Sequence, residues 1–146
     1  MQTMIIMLLT LSLGIMIAVY LPMNSTVARY LGSPISASIP FFCIALITTI
    51  IIFFLFEDYS TISKLKNIPA YLFLPGFVAA FMIIGTTYLI PKVGARKFFI
   101  LVITGQILMG IIISHFGILE SPKDAVTLKK MLGALLMVVG ALISTV

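Results

Sequence analysis

Charge is what this sequence has least of. Asp, Glu, Lys and Arg together make up 9% of its 146 residues, where a water-soluble domain carries about 25%. Too few polar groups are present to coat a surface in water. Tryptophan is absent, and there is one cysteine, Cys43, and one histidine, His115. A lone cysteine excludes an intrachain disulfide and a cysteine metal cluster. Its position inside an apolar run makes Cys43 read as a buried small residue and not as a reactive thiol. The sequence holds no G-x-S-x-G, no H-E-x-x-H and no phosphate loop. No pair of groups suits intramembrane hydrolysis, so the chain reads as no enzyme, with no cofactor and no metal. The basic residues leave a net charge of +5 but are dispersed. That pattern suits contact with lipid headgroups and argues against a nucleic-acid partner.

Apolar residues are abundant, at 62%, and they fall into five runs. The expected class is all-α, a polytopic membrane bundle with about five helices in one domain, 1–146. The spans are expected at about 4–22, 36–56, 70–90, 98–116 and 126–146, each near the roughly 20 residues needed to cross roughly 30 Å of hydrocarbon. Pro22, Asn24 and Ser25 read as the frayed end of the first helix. A signal peptide is the competing reading of that run, but Met1-Gln2-Thr3 lacks the usual basic start. β-branched residues in the second run do not argue for a strand, since a lone strand in lipid leaves its backbone unsatisfied. A closed barrel would alternate apolar and polar residues, and these runs are apolar all round. The last run is short, with Lys129 and Lys130 placed to snorkel.

With five spans, one side carries Lys64, Lys66, Lys123, Lys129 and Lys130, and the other Arg29, Lys92, Arg96 and Lys97. The positive-inside rule then hardly chooses a side. Either the chain inserts both ways and pairs antiparallel, or the first loop sets its orientation weakly.

No span carries a charged residue at its centre. Voltage sensing, acidic proton relays and carboxylate capture of cations normally need one. The embedded polar groups are few. Gln106 lies mid-way along the fourth run, with Gly110 on the same face four residues on. It reads either as an interhelical hydrogen bond or as a substrate contact. Asn24 and Tyr20 share a face of the first run, as an anchor and cap or as pathway groups. Thr86, Thr87 and Tyr88 either line a pathway or bond to backbone. His115 is the one histidine, the residue type whose reference pKa lies near neutrality, and reads as an interface residue or a pH-sensitive group. Arg29 reads as a headgroup anchor or an anion contact. Pro75 and Gly76 predict a kink, and hence a hinge, near one end of the third run. Gly14 with Ala18, and Gly140 with Ser144, form small faces that allow close helix approach.

Several short motifs occur in order along the chain. They are the glycine-bearing first helix followed by Asn24, then Leu31-Gly32-Ser33-Pro34-Ile35-Ser36-Ala37 and Leu74-Pro75-Gly76. Pro91-Lys92-Val93-Gly94-Ala95, Gly105-Gln106 and His115-Phe116-Gly117 follow. In this the chain resembles the YdcZ-like branch of the drug/metabolite transporter superfamily, over nearly its whole length. Members often carry an Asp before the position of His115, where this chain has Ser114, and a tryptophan in the second loop, which this chain lacks. The resemblance implies a secondary transporter or exporter in the bacterial inner membrane, working by alternating access on a small-molecule substrate. A pathway built on inverted repeats would need a second copy of a five-span chain, so a homodimer is implied. Gln106, Asn24, Tyr20 and Tyr88 are the expected pathway residues. The size is also similar to that of small multidrug transporters, but their membrane glutamate in the first helix has no counterpart here. The competing class is a non-transporting membrane subunit, an assembly partner or lipid-binding protein.

Overall fold

A computed structural model describes residues 2–145, and every regular element among them is helical. The elements are α1 (Gln2–Leu31), α2 (Pro34–Phe56), the single turn α3 (Ser60–Ser63), α4 (Leu74–Val93), α5 (Ala95–Phe116) and α6 (Leu128–Thr145). Short 3₁₀ turns cover Lys64–Asn67, Ala70–Phe73 and Ile118–Glu120. Among the described residues, five segments are long and apolar enough to cross a membrane: α1, α2, the 3₁₀ turn with α4 (Ala70–Val93), α5 and α6. The protein is an all-α polytopic bundle, as its apolar runs predict.

The helix ends differ from the sequence expectation, and the differences share a cause. α1 does not fray at Pro22 but continues to Leu31. Inside a bilayer no water replaces a lost backbone hydrogen bond, so a proline is absorbed and the helix goes on. Ser25 Oγ and Thr26 Oγ1 donate to the carbonyls of Leu21 and Pro22, at 3.2 and 3.1 Å, a pattern that bends helices without ending them. The stop is Gly32, whose φ of +71° is open to glycine and strained for other residues. Ser33 then caps α2, accepting from the Ser36 N–H at 3.2 Å, with Pro34 at the first helical position. Likewise α4 runs past Pro91 to Val93, and α5 begins at Ala95, ahead of the expected 98. α6 is 18 residues and begins at Leu128, not at the expected 126, so at 1.5 Å per residue it covers about 27 Å, short of the hydrocarbon thickness. The expected end of this helix at Val146 lies outside the described residues. Cys43 is exposed on the face of α2, so its expected burial within the protein does not occur.

The chain forms two compact units that divide between Lys92 and Val93. In the first, α1 packs on α2. Its buried positions cluster at one end of the helices. α1 buries Leu21, Asn24, Ser25 and Ala28, α2 buries Ala37 and Ser38, and α4 buries Ile83, Thr86, Thr87 and Ile90. Residues 2–20 of α1 and 43–52 of α2 are all exposed. The unit is therefore packed where α1 meets α2 and apolar and open toward the opposite side. In the second unit α5 packs on α6, which turns Ala134, Met137, Val138 and Ala141 inward at helical spacing. Gly117 ends α5 with φ +64°. A Cβ there would lie 2.6 Å from Lys123 Cγ, because the next loop folds back over the helix end. The small faces at Gly14 and Gly140 are unfilled: a Cβ at either glycine meets nothing within 4 Å.

The near-even split of flanking charges makes orientation easy to tip. Replacing Arg96 and Lys97 by alanine leaves five basic residues against two. A cytoplasmic reporter fused at the carboxyl end is then expected to lose about half its signal or more, because the richer side is retained inside. An unchanged signal would mean that these charges do not orient the chain.

Candidate functional site

The buried positions of α1 and α4 follow the same spacing. Residues 21, 24, 25 and 28 form one face of α1, and 83, 86, 87 and 90 form one face of α4. This i, i+3, i+4, i+7 pattern is the signature of a helix stripe turned to a neighbour. Both stripes are apolar at their ends and polar in the middle. Ala37 of α2, with 0% exposure, supplies a side chain small enough for close approach.

The polar middle is joined by one hydrogen bond. Asn24 Nδ2 donates to Thr87 Oγ1 at 2.8 Å, with the two residues 6% and 1% exposed. The neighbouring hydroxyls serve their own helices. Ser25 donates to Leu21 O, Ser38 to Pro34 O and Thr86 to Ile83 O. Asn24–Thr87 is thus the bond that ties two spanning segments together. In hydrocarbon an unpaired amide carries a large desolvation penalty, so each partner fixes the other. The Thr87 hydroxyl proton has no acceptor among the described residues, which leaves it free to donate.

Tyr88 follows Thr87 and is half exposed. Because α4 runs past Pro91, Lys92 lies one turn beyond Tyr88 on the same face. Its Nζ donates to the Tyr88 hydroxyl and sits 3.9 Å from the ring centroid, a cation–π contact. A cavity of about 270 Å³ lies beside this group, with Ser25, Arg29, Thr87, Tyr88 and Lys92 among its lining. Tyr20 lies one turn before Asn24 but is outside this cluster. It is 39% exposed and stacks on Phe41, with ring centroids 5.8 Å apart.

Gln106 belongs to the second unit. It is exposed on α5 and, with Gly110, Ser114, Asp124 and Lys130, lines a cavity of about 400 Å³. Lys130 closes one side by pairing with Asp124. Within that unit the Gln106 amide makes no hydrogen bond among the described residues. His115 is exposed at the end of α5. Its Nδ1 accepts from the Val126 N–H at 3.2 Å, and the Asp124 N–H donates to Ser114 O at 2.9 Å. The Val126–His115 bond ties the returning loop to the end of α5. Pro75 and Gly76 stand in the first turn of α4, where the 3₁₀ turn Ala70–Phe73 gives way to α-helix.

Tyr20 and Asn24 lie one turn apart on α1, and the hydrogen-bond partner of Asn24 is Thr87 on α4. Of the three polar residues in a row on α4, Thr86 bonds to backbone, Thr87 to Asn24 and Tyr88 to Lys92. The matching stripe Ile83, Thr86, Thr87, Ile90 is defined by burial, and the sequence pattern alone does not say which helix it faces.

The family model described as "Putative inner membrane exporter, YdcZ" matches residues 5–143. The chain belongs to this family. No curated protein and no solved structure matches it. The match takes in both units and all five spans. As a member of the YdcZ exporters it is a multi-pass protein of the inner membrane, and membership points to transport rather than to an enzyme.

The bond between the helices is open to a direct test. T87V strands the buried Asn24 amide and is expected to destabilise the protein by about 1–3 kcal/mol. In a double-mutant cycle with N24L, read by detergent unfolding, the coupling should be about 0.6–1.7 kcal/mol. Additive losses would mean that the two side chains do not bond in the membrane.

Proposed function

We propose that this YdcZ-family protein is a secondary transporter that exports a small molecule by alternating access, as a homodimer in which both units act as one membrane domain. The observation that carries the reading is the buried Asn24–Thr87 bond at the packed end of the first unit. Alternating access needs a pathway closed on one side and open on the other. A polar tie at one end of α1 and α4, with loosely packed apolar faces at the other, suits such a gate.

The pathway residues are Asn24 and Tyr88 near the tie, Tyr20 one turn away, and Gln106 in the second unit. An unpaired amide on α5 must find a polar partner in the bilayer, and a substrate or a second copy would supply it. Pro75 and Gly76, at a junction of two helix types, are the hinge in this scheme. The second copy is supported by the odd number of spans, which leaves no internal inverted repeat. It is also supported by the unfilled small faces around Gly14 and Gly140. The near balance of Lys and Arg is compatible with antiparallel pairing.

The test is flux into proteoliposomes across a panel of metabolites, with and without a pH gradient. At least one small molecule is expected to be carried. Q106L should cut that flux at least tenfold while leaving unfolding unchanged. Full flux in this variant would remove Gln106 from the pathway. Particle mass in nanodiscs should correspond to two copies, and single copies that still transport would rule out the obligate dimer.

A further inference from the structure

The chain has four acidic residues, Glu57, Asp58, Glu120 and Asp124. With five spans, all four fall in the α2–α4 and α5–α6 loops, on one side of the membrane. The opposite side carries Arg29, Lys92, Arg96 and Lys97 and no Asp or Glu. Lysine and arginine are nearly balanced between the sides, but net charge is not. In side-chain charge one face is close to neutral, while the other is basic, and none of its four cations is ion-paired among the described residues.

On that basic face lies the cavity at the ends of α1 and α4. Arg29 and Lys92 line it and are exposed, while Ser25 and Thr87 line it and are buried. Neither cation has a carboxylate partner among the described residues. Arg29 reaches only the Thr26 hydroxyl, at 3.3 Å, and Lys92 only Tyr88. Thr87 adds a hydroxyl proton without an acceptor. Pro34, the first residue of α2, lines the same cavity, so the positive end of that helix dipole adds to the field. Gly32 makes this possible, since its left-handed turn returns α2 beside the end of α1. Two uncompensated cations, spare donors and a helix N-terminus together match a tetrahedral, doubly charged oxyanion. The volume of about 270 Å³ is below the roughly 300–1,000 Å³ of sites for drug-sized ligands. That is room enough for a single charged group.

We propose that the Arg29–Lys92 cavity is a binding site for a phosphate-type oxyanion, either on a free phosphorylated small molecule or on a lipid headgroup. Arg29 and Lys92 hold its charge, and Thr87 donates from the floor. The cavity touches the Asn24–Thr87 tie, so an anion seated there sits against the gate. That last step rests on the export reading, but binding itself does not.

The test is therefore binding and not flux. Thermal unfolding of the full chain is followed in phosphatidylcholine nanodiscs, with inorganic phosphate titrated against sodium chloride at matched ionic strength. A saturable rise in Tm is expected. R29Q/K92Q should raise the apparent Kd at least tenfold, R29K/K92R should retain binding, and K64Q/K66Q should behave as wild type. The single variants R29Q and K92Q are expected to give intermediate losses, and they carry the test if the double variant does not fold. A second arm replaces part of the lipid with phosphatidylglycerol. If free phosphate has no effect but this lipid raises Tm, and R29Q/K92Q loses that rise, the site holds and its occupant is a headgroup. No response in either arm, or equal responses in wild type and R29Q/K92Q, overturns the proposal. Because no flux is measured, failure of the export reading leaves this outcome unchanged.

Discussion

The structure depends on one constraint, the absence of water around most of the backbone. Each N–H and C=O inside the bilayer must be satisfied by the protein. Helices meet that demand within themselves, which is why the described elements are helical whatever the β-branched content of α2. The same constraint carries α1 through Pro22 and α4 through Pro91. In water those prolines, with Asn24 and Ser25 close by, would end a helix. In lipid the chain continues until a glycine with positive φ turns it, at Gly32.

Those extra turns bring the functional groups together. Had α1 ended at Pro22, Asn24 would lie in a loop and could not meet Thr87. Had α4 ended at Ile90, Lys92 would not stand one turn from Tyr88. The polar stripe, the Tyr88–Lys92 pair and the basic cavity all lie on backbone that continues past a proline. Gly32 then returns α2 so that its first residue borders the same cavity. Local backbone chemistry thus sets the geometry of the candidate site.

Much of this was legible in the sequence. The number and type of spans follow from the low charge and the apolar runs, because those features respond to the solvent directly. The family resemblance, carried by short motifs around Gly32, Pro75, Lys92 and Gln106, agrees with the family match. Helix ends were less legible at Pro22, Pro91 and Ala95, since stop signals calibrated in water lose their force in lipid. Asn24 was legible as a polar group in an apolar run, but its partner was not. Pairing Asn24 with Thr87 requires knowing that α1 and α4 face each other across 63 positions, and spacing within one helix does not reveal that. Tyr20 shows the converse: it shares a helix face with Asn24 and stacks on Phe41 instead.

The distribution of polarity gives the molecule a direction that its count of basic residues hides. The positive-inside rule weighs Lys and Arg and all but ignores Asp and Glu, so by that measure the two sides are nearly alike. A diffusing anion responds to net charge, and for it the sides differ sharply. The basic face is also where the first unit is packed and where its buried polar tie lies. A membrane protein can thus be almost neutral about how it inserts and still be strongly polarised in what it attracts. If both orientations occur in an antiparallel pair, each membrane face would carry one such cavity, and an anion would meet a packed, basic end from either side.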